Sequence, residues 1–190
     1  MADRLKLGFA VCGSFCTHGK MKKILRSMVE KYEIFPIISE ISKSTDTRFG
    51  TSEELIREIT ELTKKEPVYT VKDAEPLGPK IPLDLLLICP CTGNTLAKFA
   101  HGITDTCVTM AAKATARRGK PVVLALASND ALGANLQNIG ILYNKKSVYF
   151  VPLSQDDTYS KPYSLVCDFS LVEKTVESAL KGEQIQPFLK

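Results

Sequence analysis

Short blocks of consecutive apolar residues alternate along the chain with segments whose apolar positions recur every three or four residues. The first block, Leu5-Lys6-Leu7-Gly8-Phe9-Ala10-Val11-Cys12, ends at Gly13-Ser14, as a buried strand does when it enters a tight turn. Met21, Ile24, Leu25, Met28, Val29 and Tyr32 then form one helical stripe. The block from Ile34 to Ser39 predicts a second strand, in which Pro36 implies a bulge or irregular pairing. Thr51-Ser52-Glu53-Glu54 has the form of a capping box and opens a helix carrying Leu55, Ile56, Ile59 and Leu62. Prolines 67, 76, 79 and 82 leave the next stretch mostly loop around a short strand at Val68–Val71. Asp84 to Cys89 and Pro121 to Ala127 are continuous apolar blocks, which suits strands of a parallel sheet covered on both faces. Between them, 94–100 and 105–118 read as helices separated by Gly102. A further strand at Ser147–Val151 and a last helix from near Asp168 or Ser170 to Gly182 complete the pattern.

Strands alternating with helices predict right-handed parallel crossovers. The expected architecture is a single α/β domain over 1–190, a Rossmann-like three-layer sandwich with a mostly parallel sheet of about six strands. In such sheets ligands sit beyond the carboxyl ends of the strands. The polar turns after Cys12, Ser39, Cys89 and Ala127 are therefore expected to meet on one rim.

Composition narrows the function. With 44% hydrophobic and 24% charged residues the chain is neither disordered nor fibrous. No apolar run approaches the roughly 20 residues that span a bilayer, and residues 1–6 run into the first strand without the apolar stretch of a signal peptide. A cytoplasmic protein without a membrane partner is expected. A net charge of +4 is too mild to imply nucleic acid. The six cysteines include one C-x-C pair, Cys89-Pro-Cys91, and no paired C-x-x-C spacing, so free thiols and no metal site are expected.

The Gly13–Gly19 turn is not G-x-G-x-x-G, and no G-x-x-x-x-G-K-[ST] loop occurs. Small residues before a helix N-terminus still suit a phosphate. Pro90-Cys91-Thr92-Gly93-Asn94-Thr95 presents hydroxyls, an amide and backbone donors, although Thr92 or Asn94 also serve equally well as simple helix caps.

The run from Pro90 to Asp105, PCTGNTLAKFAHGITD, resembles the signature of the flavin-containing cysteine decarboxylase-like flavoproteins, which include phosphopantothenoylcysteine decarboxylase and flavin prenyltransferase. The resemblance extends from Gly13-Ser14 to about Pro152. Gly13–Thr17, Cys89–Lys98 and Ala127–Asn135 are most similar to one branch of that family. Its members serve as the B subunit of a two-subunit enzyme that oxidises dihydrodipicolinate to dipicolinate during sporulation, with an NADP-binding A subunit as partner. The resemblance implies FMN held by Gly13, Ser14, Ser39, Thr92, Gly93, Asn94 and Thr95, with Asn129 facing substrate. It also implies a homo-oligomer.

Several departures bear on the chemistry. The decarboxylases place a catalytic histidine before the fourth strand, where this chain has 68–73, VYTVKD. The prenyltransferases' arginine is missing near Ala127 and Ser128. Of the two histidines, His18 lies near the expected rim and His101 is expected to cover a neighbouring surface. No catalytic residue is assigned. Arg48, Lys20 and Lys98 are candidate cations for a dicarboxylate, and Cys16, Cys91 and Cys107 lie near the slot as small packing residues. Two alternatives stand beside the oxidoreductase role: an FMN-dependent decarboxylase of a thiol-bearing carboxylate, and a non-catalytic subunit that has lost flavin.

Overall fold

The two most continuous apolar blocks become the two central strands. The computed structural model describes residues 4–190. In chain order its elements are β1 (Lys6–Val11), α1 (His18–Lys31), β2 (Glu33–Ile38), α2 (Glu40–Ser44), α3 (Ser52–Thr63), α4 (Val71–Ala74) and β3 (Leu85–Cys91). There follow α5 (Gly93–Ala100), α6 (Cys107–Ala116), β4 (Val122–Ser128), α7 (Leu136–Tyr143), β5 (Val148–Phe150), β6 (Leu153–Ser154), β7 (Leu165–Cys167) and α8 (Val172–Ala179). The sheet has seven strands in the order β2-β1-β3-β4-β7-β6, with β5 also on β4. Strands β1 to β5 pair in parallel, whereas β7 is antiparallel to both β4 and β6. This is the expected Rossmann-like α/β sheet, extended by a small antiparallel hairpin.

Every residue of β3 is buried, and so is β4 up to Ala127. Helices α1 and α8 pack together on the sheet, and α5 packs with both α6 and α7, which gives the layered core. The predicted stripe on α1 turns inward at Met21, Ile24, Leu25 and Met28. Thr51 and Glu54 form the expected capping box: the Thr51 hydroxyl accepts from the Glu54 N–H at 3.2 Å, and the Glu54 carboxylate from the Thr51 N–H at 3.1 Å.

Two local expectations are corrected. Pro36 causes no bulge, because β2 keeps an unbroken register with β1 from Glu33 to Ile38. The N–H groups of Glu33 and Ser39 point to β1 and that of Ile38 points outward to Val68, so Pro36 sits at an outward position where the ladder needs no donor. The strand expected at Val68–Val71 reduces to one parallel bridge between Val68 and Ile37. Thr70 ends it by capping α4, its hydroxyl accepting from the Asp73 N–H. The break in pairing lies instead in β3, where the register with β4 shifts between Ile88 and Cys91.

The upper end of β4 directs the chain over the rim. The lower half of β4 pairs with β5, while Ala127 and Ser128 pair with β7. The loop between β6 and β7 is thereby carried above the carboxyl ends of β1, β3 and β4. Its fold is local: Asp157 accepts from the Tyr159 and Ser160 N–H groups at 3.1 and 2.9 Å, and Gln155 donates to the Pro162 carbonyl at 2.9 Å. The Leu132 N–H donates to the Tyr163 carbonyl at 2.9 Å, which ties this loop to the one after β4.

Candidate functional site

A cavity of about 660 Å³ opens at the carboxyl ends of β1, β3 and β4, beneath the β6–β7 loop. Its walls come from Gly13 to Thr17, Thr92 to Asn94, Ala127 to Asp130, and Asp156, Lys161, Ser164 and Val166 of the hairpin. A second hollow of about 350 Å³ adjoins it and shares Gly13, Thr92 and Asn94. Ser39 and Thr95 border this second hollow. The rim therefore carries two joined recesses rather than one slot.

The β1 turn is shaped by packing. A Cβ at Gly13 would stand 2.9 Å from Ile41 Cγ2, so a larger residue would collide with α2. Ser14 is only partly covered and faces the larger cavity. His18, expected near the rim, turns into the protein instead: its Nε2 donates to the Cys12 carbonyl at 2.9 Å. Burial holds its pKa below the ordinary value, and nearby Lys22 acts in the same direction.

The β3 turn is a helix cap as well as a cavity wall. The Thr92 hydroxyl accepts from the Thr95 N–H at 3.3 Å and donates to Thr95 Oγ1 at 3.1 Å. The Thr92 carbonyl takes the Leu96 N–H at 2.9 Å. Of the four N–H groups a helix start leaves over, those of Gly93 and Asn94 remain for a guest. Asn94 is exposed on the cavity wall, whereas Thr95 is buried with its Oγ1 3.4 Å from Cys12 Sγ. Ser39 caps α2, donating to Ser42 Oγ at 3.0 Å while accepting from the Ser42 N–H. Of the expected set, Gly13, Ser14, Thr92, Gly93 and Asn94 thus meet around one cavity, while at the margin of the other Ser39 caps α2 and the Thr95 hydroxyl receives that of Thr92.

Gly93 has a structural reason to be glycine. A Cβ there would stand 2.6 Å from both Asn135 Nδ2 and Ser128 Oγ, and 2.8 Å from Asp130 Oδ1. The loop after β4 presses onto the start of α5 at this point. It carries a chain of hydrogen bonds that converges on Asp130. Ser128 donates to Asp130 Oδ1 at 2.5 Å, and Asn135 Nδ2 to Asp130 Oδ2 at 2.9 Å. Asn138 Nδ2 donates to Asn135 Oδ1 at 3.0 Å, and His101 Nε2 lies 3.0 Å from Asn138 Oδ1. An amide oxygen only accepts, so His101 donates from Nε2. His101 therefore lies against α7, the neighbouring surface expected for it. Asn129 is exposed on the cavity wall between Ser128 and Asp130.

The candidate cations lie elsewhere. Lys98 pairs with Asp105 at 2.9 Å, Lys20 lies over the Phe169 ring, and Arg48 lies over Phe49. None of the three lines the larger cavity; Lys161 does, 3.5 Å from Asp156. The hydrogen bond from Ser164, with Lys161 adding, holds the Asp156 carboxyl below its usual range. Lys161 carried no sequence signal, being brought over the rim by the antiparallel hairpin. Ser128 and Asp130 were adjacent to the assigned Asn129 and could have been read from that position.

All six cysteines are free. Burial pushes the Cys12 thiol up to about 11 and the Cys107 thiol up to about 12, and raises Cys89, Cys91 and Cys167 as well. These five are packing residues held as neutral thiols. Cys16 alone is exposed, on the cavity wall.

A flavin mononucleotide fits these walls in kind. A recess of several hundred cubic ångströms suits a planar cofactor. The free N–H groups at the start of α5, the Ser14 hydroxyl and the Asn94 amide supply oriented polar partners.

The family model described as Flavoprotein matches residues 1–178. The chain is 43% identical over 185 residues to the B subunit of dipicolinate synthase from Bacillus subtilis (strain 168), covering 97% of this chain and 92% of that protein. It is 25% identical over 172 residues to a flavin prenyltransferase of Neisseria meningitidis serogroup B, covering 85% and 82% of the two chains. Among solved structures, the dipicolinate synthase B subunit from Bacillus halodurans C superposes with a TM-score of 0.90 at 42% identity, covering 99% of this chain and 97% of the other. The FMN-dependent cysteine decarboxylase SpaF superposes with a TM-score of 0.66 at 22% identity over 95% and 97% of the chains, and shares the fold.

Proposed function

The chain belongs to the flavoprotein family, and from that premise we propose that it is the flavin-bearing B subunit of a dipicolinate synthase, oxidising dihydrodipicolinate to dipicolinate during sporulation. One observation carries the reading. The three stretches with the strongest resemblance, Gly13–Thr17, Cys89–Lys98 and Ala127–Asn135, are far apart in sequence yet contribute three walls of the same cavity. The near full-length identity to the Bacillus subtilis B subunit supports the same assignment.

In this reading Gly13, Ser14, the N–H groups of Gly93 and Asn94 and the Asn94 amide would hold FMN, with Thr92 fixing the start of α5 and Ser39 and Thr95 bordering the adjoining hollow. When bound, the flavin supplies a two-electron acceptor. The chain's own residues hold the substrate: Asn129 offers an amide to the ring or a carboxylate, and Lys161 supplies the cation a dicarboxylate needs. The protein acts in the cytoplasm as a single domain over 1–190, assembled as a homo-oligomer, together with an A subunit that binds NADP.

Purified alone, the protein is expected to show flavin absorption in the visible. With the A subunit, NADP and dihydrodipicolinate, dipicolinate should form only when both chains are present. Dipicolinate formed by the A subunit alone at the same rate would refute the reading. A second reading, a structural subunit without flavin, is favoured by the use of the Ser39 and Thr92 hydroxyls as helix caps. A colourless protein that still stimulates the A subunit would support it.

A further inference from the structure

Resting on the oxidation proposed above, we propose that Asp130 is the base that accepts the proton lost from the substrate ring. Aromatising a dihydropyridine removes two hydrogens. One ring C–H bond breaks with its electron pair, which leaves as hydride to an oxidised flavin or nicotinamide ring. A second ring hydrogen leaves as a proton to an oxygen of Asp130, and the electron pair of that bond becomes the last double bond of the pyridine. The ring proton needs an acceptor, and among the described residues that line the cavity there is no histidine.

Two carboxylates line it, Asp130 and Asp156. Asp156 is engaged by Ser164 and lies 3.5 Å from Lys161, so its carboxylate is already committed to a cation. Among the described residues Asp130 has no cationic partner. Its two oxygens accept from neutral donors, Ser128 and Asn135. Each oxygen keeps a further lone pair.

The carboxylate is also not the turn's sole brace. The Asp130 backbone carbonyl braces it independently, accepting from the Gly133 and Asn135 N–H groups at 3.0 and 3.3 Å. The side chain is instead aimed: Asn135 and Asn138 are buried, and their amides are locked in one direction by His101 at the far end. A fixed acceptor beside Asn129 is what proton abstraction requires. Asp130 is exposed, so the proton can pass on to solvent.

The test compares the parent with Asp130→Asn in the presence of the A subunit, NADP and dihydrodipicolinate. Turnover is expected to fall by about 100-fold or more, with an unchanged melting transition. Calorimetric titration with dipicolinate should show equal or tighter binding, because a negative charge beside a dianion has been removed. Turnover within threefold of the parent overturns the proposal, as does loss of dipicolinate binding together with activity, which marks a structural role. Asp130→Glu provides a second readout if the asparagine variant does not fold. Its turnover should persist because a carboxylate is retained, while a loss of about 100-fold in a variant that folds like the parent overturns the proposal. Failure of the parent pair to make dipicolinate would overturn the proposed function and this inference together; an active parent with an equally active Asp130→Asn variant would overturn the inference alone.

Discussion

His18 and Gly93 show how single residues hold the rim in place. Burial keeps the His18 imidazole below its ordinary value of 6.5, partly offset by the bond to the Cys12 carbonyl. The unfolded chain then binds more protons than the native one, so stability rises with pH through this range. The contribution is complete above about pH 6.5 and is lost progressively as pH falls below it. Urea midpoints measured from pH 7 to pH 5 should therefore drop more steeply in the parent than in His18→Gln, which keeps a donor for Cys12 and cannot titrate. Gly93→Ala should destabilise by about 1–3 kcal/mol, the usual cost of overpacking, because Ser128, Asp130 and Asn135 leave no room for a methyl group. Equilibrium urea unfolding measures it. These two residues differ in legibility. Gly93 was visible as part of a polar turn after a strand, but its reason, the approach of the loop after β4, was not. Sequence leaves His18 free to point outward or inward, and the Cys12 carbonyl, which also takes the Ser14 N–H, holds it inward.

Helix starts decide how the site is built at the scale of elements. Thr51 and Thr92 cap α3 and α5 with the same chemistry, yet only α5 begins at the cavity. Thr51→Ala and Thr92→Ala should each cost about 1 kcal/mol in unfolding experiments. Flavin affinity, followed by fluorescence quenching on titration, should weaken only for Thr92→Ala, because that change alone loosens the N–H groups of Gly93 and Asn94. Thr92→Ser should restore both properties. The capping box at Thr51 was legible because its partners lie three residues apart. The fate of 68–71 was not: its β-branched residues suit a strand, but a Thr70 cap and one bridge to Ile37 used the same residues differently.

For the whole molecule, the hairpin of β6 and β7 sets what the cavity can bind. Lys161 is exposed on it, so its replacement should not disturb the fold. Lys161→Ala should weaken dipicolinate binding by about tenfold, equivalent to ~1.4 kcal/mol, as read by calorimetric titration, with an unchanged melting transition. Hydrophobic periodicity and turn chemistry act over a few residues, and so the amino-acid order alone determined the parallel strands, helices α1, α3, α5, α6 and α8, and the polar turns after β1, β3 and β4, but not helix α7. The antiparallel return of β7 onto the tip of β4, the separation of Ser39 from Ser14, and the line from His101 to Asp130 were decided only in three dimensions. Each depends on which surfaces meet after collapse, and residues dozens of positions apart leave no local pattern that records such a meeting.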